Sequence, residues 1–347
     1  MERRRKLGLA LVALLALAGL AACGSGDDDG GDAAGGGGGA SAGAFPVTIE
    51  HAFGETTIEE EPERVVTVGL TEQDTLLALG VVPVATTEWF GDHPGAIFPW
   101  AQDELEELGG DTPEVMSDAT EINVEAVAAQ RPDLILAINA ELDQEVYDSL
   151  SEIAPTVARP EGTIPYGVPW DEATRMIGRA VGRAEEADAL VEDVEAELAA
   201  VRDEHPEFEG ATAVVATPWE GIYVYGPNDA RGQLLTELGF EMPPGLAELT
   251  GDEFGANLSQ ERAEMLDVDV IVWLDPEDGE GPLGGPLYET FPVHTEGREV
   301  FLDSYDDPLG AATSVVTPLS IPFLLDGLAP RLAAAIDGDP ATELPAS

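Results

Sequence analysis

Few residues in this sequence are placed to break or make covalent bonds. No Gly-x-Ser-x-Gly elbow stands between a strand and a helix, and there is no phosphate-cradling glycine loop and no His-Glu-x-x-His helix. Cys23 is the only cysteine in 347 residues. His51, His93, His205 and His294 are isolated in polar, loop-like contexts, whereas a zinc or manganese centre gathers several nitrogen donors. Asp and Glu number 69, so any two of them can be posed as acid and base, and such pairing carries no information. What remains is binding chemistry. All five tryptophans (Trp89, Trp100, Trp170, Trp219 and Trp273) fall on or beside expected loops, where core packing would place more of them inside strands and helices.

The lone cysteine has a context of its own. Arg3, Arg4, Arg5 and Lys6 precede an apolar or small-residue run at 7–22. That is the layout of a secretory signal, and the run is shorter than the roughly 20 residues of a membrane-spanning helix. It ends in Leu20-Ala21-Ala22-Cys23, which resembles the bacterial lipobox, where the thiol is acylated and the leader is cut just before it. Residues 1–22 are thus expected to be a lipoprotein signal, with Cys23 the lipid attachment point on the outer face of the cytoplasmic membrane. Residues 23–44 are rich in Gly, Ala, Ser and Asp and read as a flexible tether. A secreted chain with a single cysteine has no internal disulfide.

The formal net charge is −54. Loss of the leader would make it three charges more negative and remove Lys6, the only lysine. Nucleic acid and anionic membrane surfaces are poor partners for such a chain. The acids are scattered rather than set at calcium-loop spacing, so they read as a solvated acidic shell.

Strand and helix patterns alternate through the body. Strands are expected at 47–49 and 56–58 as a hairpin around Gly54, then at 64–68, 81–86, 134–138 and 155–158. Helices are expected at 74–79, 123–130 and 141–153. A second half follows, with strands at 211–216, 222–225, 270–274 and 299–302 and helices at 231–238, 260–266 and 318–336. Between the halves, apolar residues recur with helical period across 171–203, from Met176 and Ile177 to Leu198 and Val201. One continuous helix there would reach about 50 Å, a strut between two lobes. The fold class is therefore α/β: two lobes with mostly parallel sheets covered by helices, joined by one long rigid helix. The boundaries are an N-lobe at 45–165, a linking helix at 170–203, a C-lobe at 210–337 and a tail at 338–347.

Five segments in order resemble the iron-siderophore and cobalamin substrate-binding proteins of ABC importers. They run from Arg64-Val65-Val66 to Pro83-Val84, from Glu125-Ala126-Val127 to Asp133-Leu134-Ile135, and from Tyr225-Gly226-Pro227 to Leu238-Gly239-Phe240. Ser259-Gln260-Glu261 with Asp269-Val270-Ile271, and Thr317-Pro318-Leu319-Ser320-Ile321, complete the set. The resemblance covers about residues 47 to 337. It implies a class III periplasmic-binding fold, a ligand in the interlobe cleft and only small closure on binding. It also implies a ferric siderophore as ligand, no cofactor or metal site of its own, no enzymatic activity, and a monomer that delivers its cargo to the permease subunits of an importer.

In that family the contact residues sit on loops after the strands of each lobe. By this rule the ligand-binding candidates are Trp89, Phe90 and Trp100 in the first lobe and Tyr166 and Trp170 at the entry to the strut. In the second lobe they are Trp219, Tyr223, Tyr225, Arg231 and Trp273. With Arg231 the strongest cationic candidate, a neutral or weakly charged hydroxamate complex fits better than a highly anionic triscatecholate. Cobalamin, haem, a free divalent metal held by the same fold, and a non-transport surface lipoprotein remain alternatives. The resemblance further implies one acidic permease-docking residue on each lobe. Asp74 matches the first position, while at the second Gln233 departs from the pattern, with Glu237 one turn on.

Overall fold

The structure, a computed structural model, describes residues 43–118, 121–219, 221–275, 285–305, 307–342 and 345. The expected leader, Cys23 and most of the tether lie outside the described residues.

Chain order begins with an antiparallel hairpin, β1 (Val47–His51) and β2 (Gly54–Ile58), that turns at Gly54 with φ 124°. The first sheet takes β3 (Val65–Thr67), β4 (Ala85–Glu88), β5 (Glu114–Asp118), β6 (Leu134–Ala137) and β7 (Thr156–Ala158). All are parallel, in the order β5-β4-β3-β6-β7. Between them run α1 (Glu72–Ala78), α2 (Gln102–Leu108), α3 (Val124–Gln130) and α4 (Gln144–Ser151). Asn123 and Asp143 cap α3 and α4 by accepting from Ala126 N and Val146 N, which satisfies backbone donors that a helix start leaves free.

After α5 (Trp170–Ala180) and α6 (Ala184–Glu204), the second sheet is built from β8 (Ala213–Thr217), β9 (Ile222–Tyr225), β10 (Gly255–Leu258), β11 (Val270–Leu274) and β12 (Glu299–Leu302). Its order is β10-β9-β8-β11-β12, parallel from β8 through β11 to β12 and antiparallel at β9 and β10. Helices α7 (Ala230–Glu237), α8 (Leu246–Thr250), α9 (Gly285–Tyr288), α10 (Pro292–Thr295), α11 (Pro308–Ser314) and α12 (Ser320–Ile336) complete this half. Alternation along β11 shows why its whole run is apolar: Val270, Val272 and Leu274 face one buried cluster, Ile271 and Trp273 another.

Several expectations need correction. The expected strand at 81–86 starts only at Ala85, because Pro83 lacks the N–H a ladder uses. The helix expected at 260–266 is present with those bounds, as a 3-10 helix. Strand β5, an edge strand with an exposed, polar pattern, left no apolar signature. The 171–203 stripe is two helices, not one. Gly182 adopts φ 71°, and Arg183 N and Gly182 N donate back to Gly178 O at 2.7 Å and Arg179 O at 3.3 Å. This is a Schellman stop, which favours glycine because a Cβ is strained at that φ. The stripe survives the break because both helices bury the same kind of face. Met176, Ile177 and Ala180 of α5 pack into the first lobe. Helix α6 enters that core with Ala187 and then carries Val191, Val194 and Leu198 into the second-lobe core. The connecting element is therefore α6, of 21 residues, or about 30 Å.

Helices α5 and α6 meet where Gly178 faces Ala187, and a Cβ on Gly178 would stand 2.2 Å from the Ala187 Cβ. Gly178→Ala is expected to lower unfolding free energy by about 1–3 kcal/mol, read as a reduced urea midpoint; an unchanged midpoint would show that the two helices separate without cost.

Candidate functional site

A cleft of about 440 Å³ opens between the two lobes. It lies at the carboxyl ends of the strands, where open α/β sheets place their ligands because the loops there are free of the helical cover. From the first lobe, Leu70, Thr71 and Glu72 line it after β3, Trp89 and Phe90 after β4, and Ile138 and Asn139 after β6. Tyr166, Val168 and Trp170 close that side. The second lobe contributes Tyr225 at the end of β9, Asp229 and Arg231 at the start of α7, and Phe254 before β10. Asp275 follows β11, Ser304 and Tyr305 follow β12, and Val316 to Pro318 precede α12. Two cleft residues, Tyr166 and Asp275, hold left-handed backbone, φ 59° and 53°.

Of the sequence candidates, Trp89, Phe90, Tyr166, Trp170, Tyr225 and Arg231 are brought together here. The other four are elsewhere. Trp273 is fully buried inside β11 and donates from Nε1 to Glu299 Oε1 at 3.0 Å, a carboxylate that also takes Tyr288 OH and His294 Nδ1. It lies within a strand rather than after one, and both faces of that sheet are covered. Tyr223 is buried in β9 between Trp219, Tyr225 and Phe254. Trp219 is 58% exposed, outside the cleft. Trp100 stacks on Phe98 at 4.7 Å and against Phe323 of α12, so it packs lobe on lobe.

Trp100 also donates to the most informative buried acid. Asp74 is fully buried, and its Oδ2 accepts from Trp100 Nε1 at 2.8 Å and from Thr317 Oγ1 of the other lobe at 2.7 Å. An acidic residue enclosed in this way offers no surface to a membrane subunit in this conformation. Glu237 is partly buried, accepting from Trp170 Nε1 at 3.0 Å, which again ties the lobes, and Arg202 donates to its backbone carbonyl. Gln233 is partly exposed on the same helix.

Sequence reasoning missed Glu72, Asn139, Asp229, Phe254, Asp275, Ser304 and Tyr305. Asp275, Ser304 and Tyr305 obey the loop-after-strand rule and were findable by it. Phe254 was not, since β10 left no readable pattern. Glu72 is buried, and its Oε1 accepts from Ile138 N at 2.7 Å and Asn139 N at 2.8 Å, fixing the β6 loop. Burial raises its pKa, opposed by these backbone donors. Arg231 is largely buried; its Nη1 donates to both Asp229 oxygens at 3.1 and 3.0 Å, and its guanidinium carbon lies 4.2 Å from the Tyr225 ring centroid. Burial alone would lower its pKa, but the Asp229 carboxylate outweighs that and raises it. Among the described residues no group of three or more His, Cys, Asp or Glu side chains could hold a metal ion.

Residues 65–284 match the periplasmic binding protein family. The chain belongs to that family. A periplasmic solute binding protein from Mycobacterium smegmatis is 37% identical, with a TM-score of 0.71 over 84% of this chain and 98% of that one. PiaA of Streptococcus pneumoniae, solved in complex with ferrichrome, is 28% identical with a TM-score of 0.75, over 84% and 99% of the two chains. The ferric enterobactin-binding periplasmic protein FepB of Escherichia coli is 27% identical, over 76% of this chain and 88% of FepB. These are named as binding proteins, and the two-lobed α/β architecture of this family member is shared with the two solved structures.

Burial raises the Asp74 pKa from 3.8 to about 6, against the Trp100 and Thr317 hydrogen bonds and with a small addition from Glu104. A folded-state pKa above the unfolded value means the native protein binds this proton more tightly. The contribution of Asp74 to stability is therefore fully present below about pH 4 and lost as pH rises through about 6, roughly 3 kcal/mol in all. Asp74→Asn should be more stable than the parent at pH 8, with the difference closing towards pH 4; parallel urea titrations across that range check it, and a constant difference would contradict it.

Proposed function

We propose that this protein captures a ferric siderophore outside the cell and hands it to an ABC importer. The observation that carries the reading is the aromatic interlobe cleft, lined by Trp89, Phe90, Tyr166, Trp170, Tyr225 and Tyr305, in a member of the periplasmic binding protein family. A siderophore already encloses iron in hard oxygen donors, so the protein supplies flat faces and a few hydrogen bonds instead of metal ligands. The cleft volume lies in the range of small-molecule sites.

The reading of the N-terminus that goes with this is attachment of a monomer through acylated Cys23, with residues 23–44 as the leash. Docking to the permease would use the acid-rich outer surface, with Gln233 and Glu237 marking the second-lobe side. The named relatives take different ferric complexes, ferrichrome for PiaA and ferric enterobactin for FepB, so ligand preference has to come from this chain's own cleft.

Titration of the mature chain in high salt, following tryptophan emission, should show saturable quenching by ferric siderophores at submicromolar concentration. Cobalamin, haem or bare divalent metal saturating in their place would overturn the assignment. Phe90→Ala and Tyr305→Ala should each weaken siderophore binding about tenfold or more, as loss of an aromatic anchor does, while Trp219→Phe should stay within about twofold.

A further inference from the structure

The charge of the cleft is set by four side chains. Glu72 lines the first-lobe wall, and Asp229, Arg231 and Asp275 line the second. Arg231 is the only Arg, Lys or His among the described residues lining it, and its charge is already engaged. Nη1 donates to both oxygens of Asp229, and the guanidinium carbon sits 4.2 Å from the Tyr225 ring centroid. Asp275 also acts on it electrostatically. The buried Nε has no partner, so what Arg231 has left for a ligand is hydrogen-bond donors rather than a free positive charge. Asp275, whose Oδ1 accepts from Ser304 N at 2.6 Å, has no cation of its own in the lining.

We infer, resting on the siderophore reading, that the cleft selects ferric complexes of zero or single positive net charge and discriminates against multiply anionic ferric catecholates. Three features act in the same direction. The carboxylates outnumber the one cation within a partly desolvated cleft, where like charges repel more strongly than in water. The aromatic side chains of the lining, Trp89, Phe90 and Tyr305 among them, carry electron-rich rings that attract cations rather than anions. At longer range a formal net charge of −54 repels anions before they reach the cleft, an effect that salt screens.

The test is a comparison of three ferric complexes on the full mature chain by tryptophan quenching: cationic ferrioxamine B, neutral ferrichrome and trianionic ferric enterobactin. The expected result is that ferrioxamine B and ferrichrome each bind about 100-fold tighter than ferric enterobactin at 0.15 M salt, a discrimination of the size electrostatic mismatch produces. The gap should narrow at about 1 M salt. Asp229→Asn keeps an acceptor for the α7 backbone but releases Arg231, and should raise the enterobactin-to-ferrichrome affinity ratio about tenfold. Equal affinities, or enterobactin the tightest, would overturn the charge selection while leaving the siderophore reading in place. No binding of any of the three, with cobalamin or haem saturating, would instead remove the reading on which it rests. If Asp229→Asn does not fold, the comparison on the parent chain decides alone.

Discussion

The geometry of the cleft depends on how tightly two sheets are held at a set separation, and the constraint that holds them is packing shared between their cores. Helix α6 begins against the first-lobe core at Ala187 and over about three turns enters the second-lobe core through Val191, Val194 and Leu198. A helix that belongs to both cores cannot bend without opening one of them, and close-packed interiors resist that. Around it stand two polar ties of opposite parentage: Trp170 of α5 to Glu237 of α7, and Asp74 of α1 to Thr317 before α12. Phe98 and Trp100 then press against Ala311, Val315 and Phe323 across the same boundary.

The buried Asp74 has a double character. Its Oδ2 is satisfied by one donor from each lobe, while its Oδ1 is buried without a partner. A half-satisfied buried carboxylate costs stability when ionised, yet it holds the lobes in one relative position. The cleft shows the same economy. Arg231 is held in place by Asp229 and Tyr225, so its position is fixed but its charge is largely cancelled.

How much of this was legible beforehand differs by element. The parallel sheets, the hairpin at Gly54 and the closing helix followed from apolar period and turn chemistry, because buried strands and amphipathic helices leave local signatures. The single 171–203 strut was misread because a Schellman stop at Gly182 changes the direction of the chain without interrupting the apolar spacing. Edge strands β5 and β10 carry no such signature. For the site, the loop-after-strand rule located Trp89, Phe90 and Tyr225, but it could not separate a residue after β11, Asp275, from one within it, Trp273.

The sequence by itself determined the fold class, the absence of an assembled catalytic motif, the acid-dominated charge and the aromatic supply near strand ends, since each is a property of composition or short-range pattern. Only the tertiary structure decided which aromatics line the cleft and which face core, that Trp100 and Asp74 serve the lobe interface, and that the charge of Arg231 is already engaged. Those outcomes depend on contacts between residues as far apart as Asp74 and Thr317. No local pattern encodes such a contact, because the burial that gives it meaning exists only once both lobes have packed.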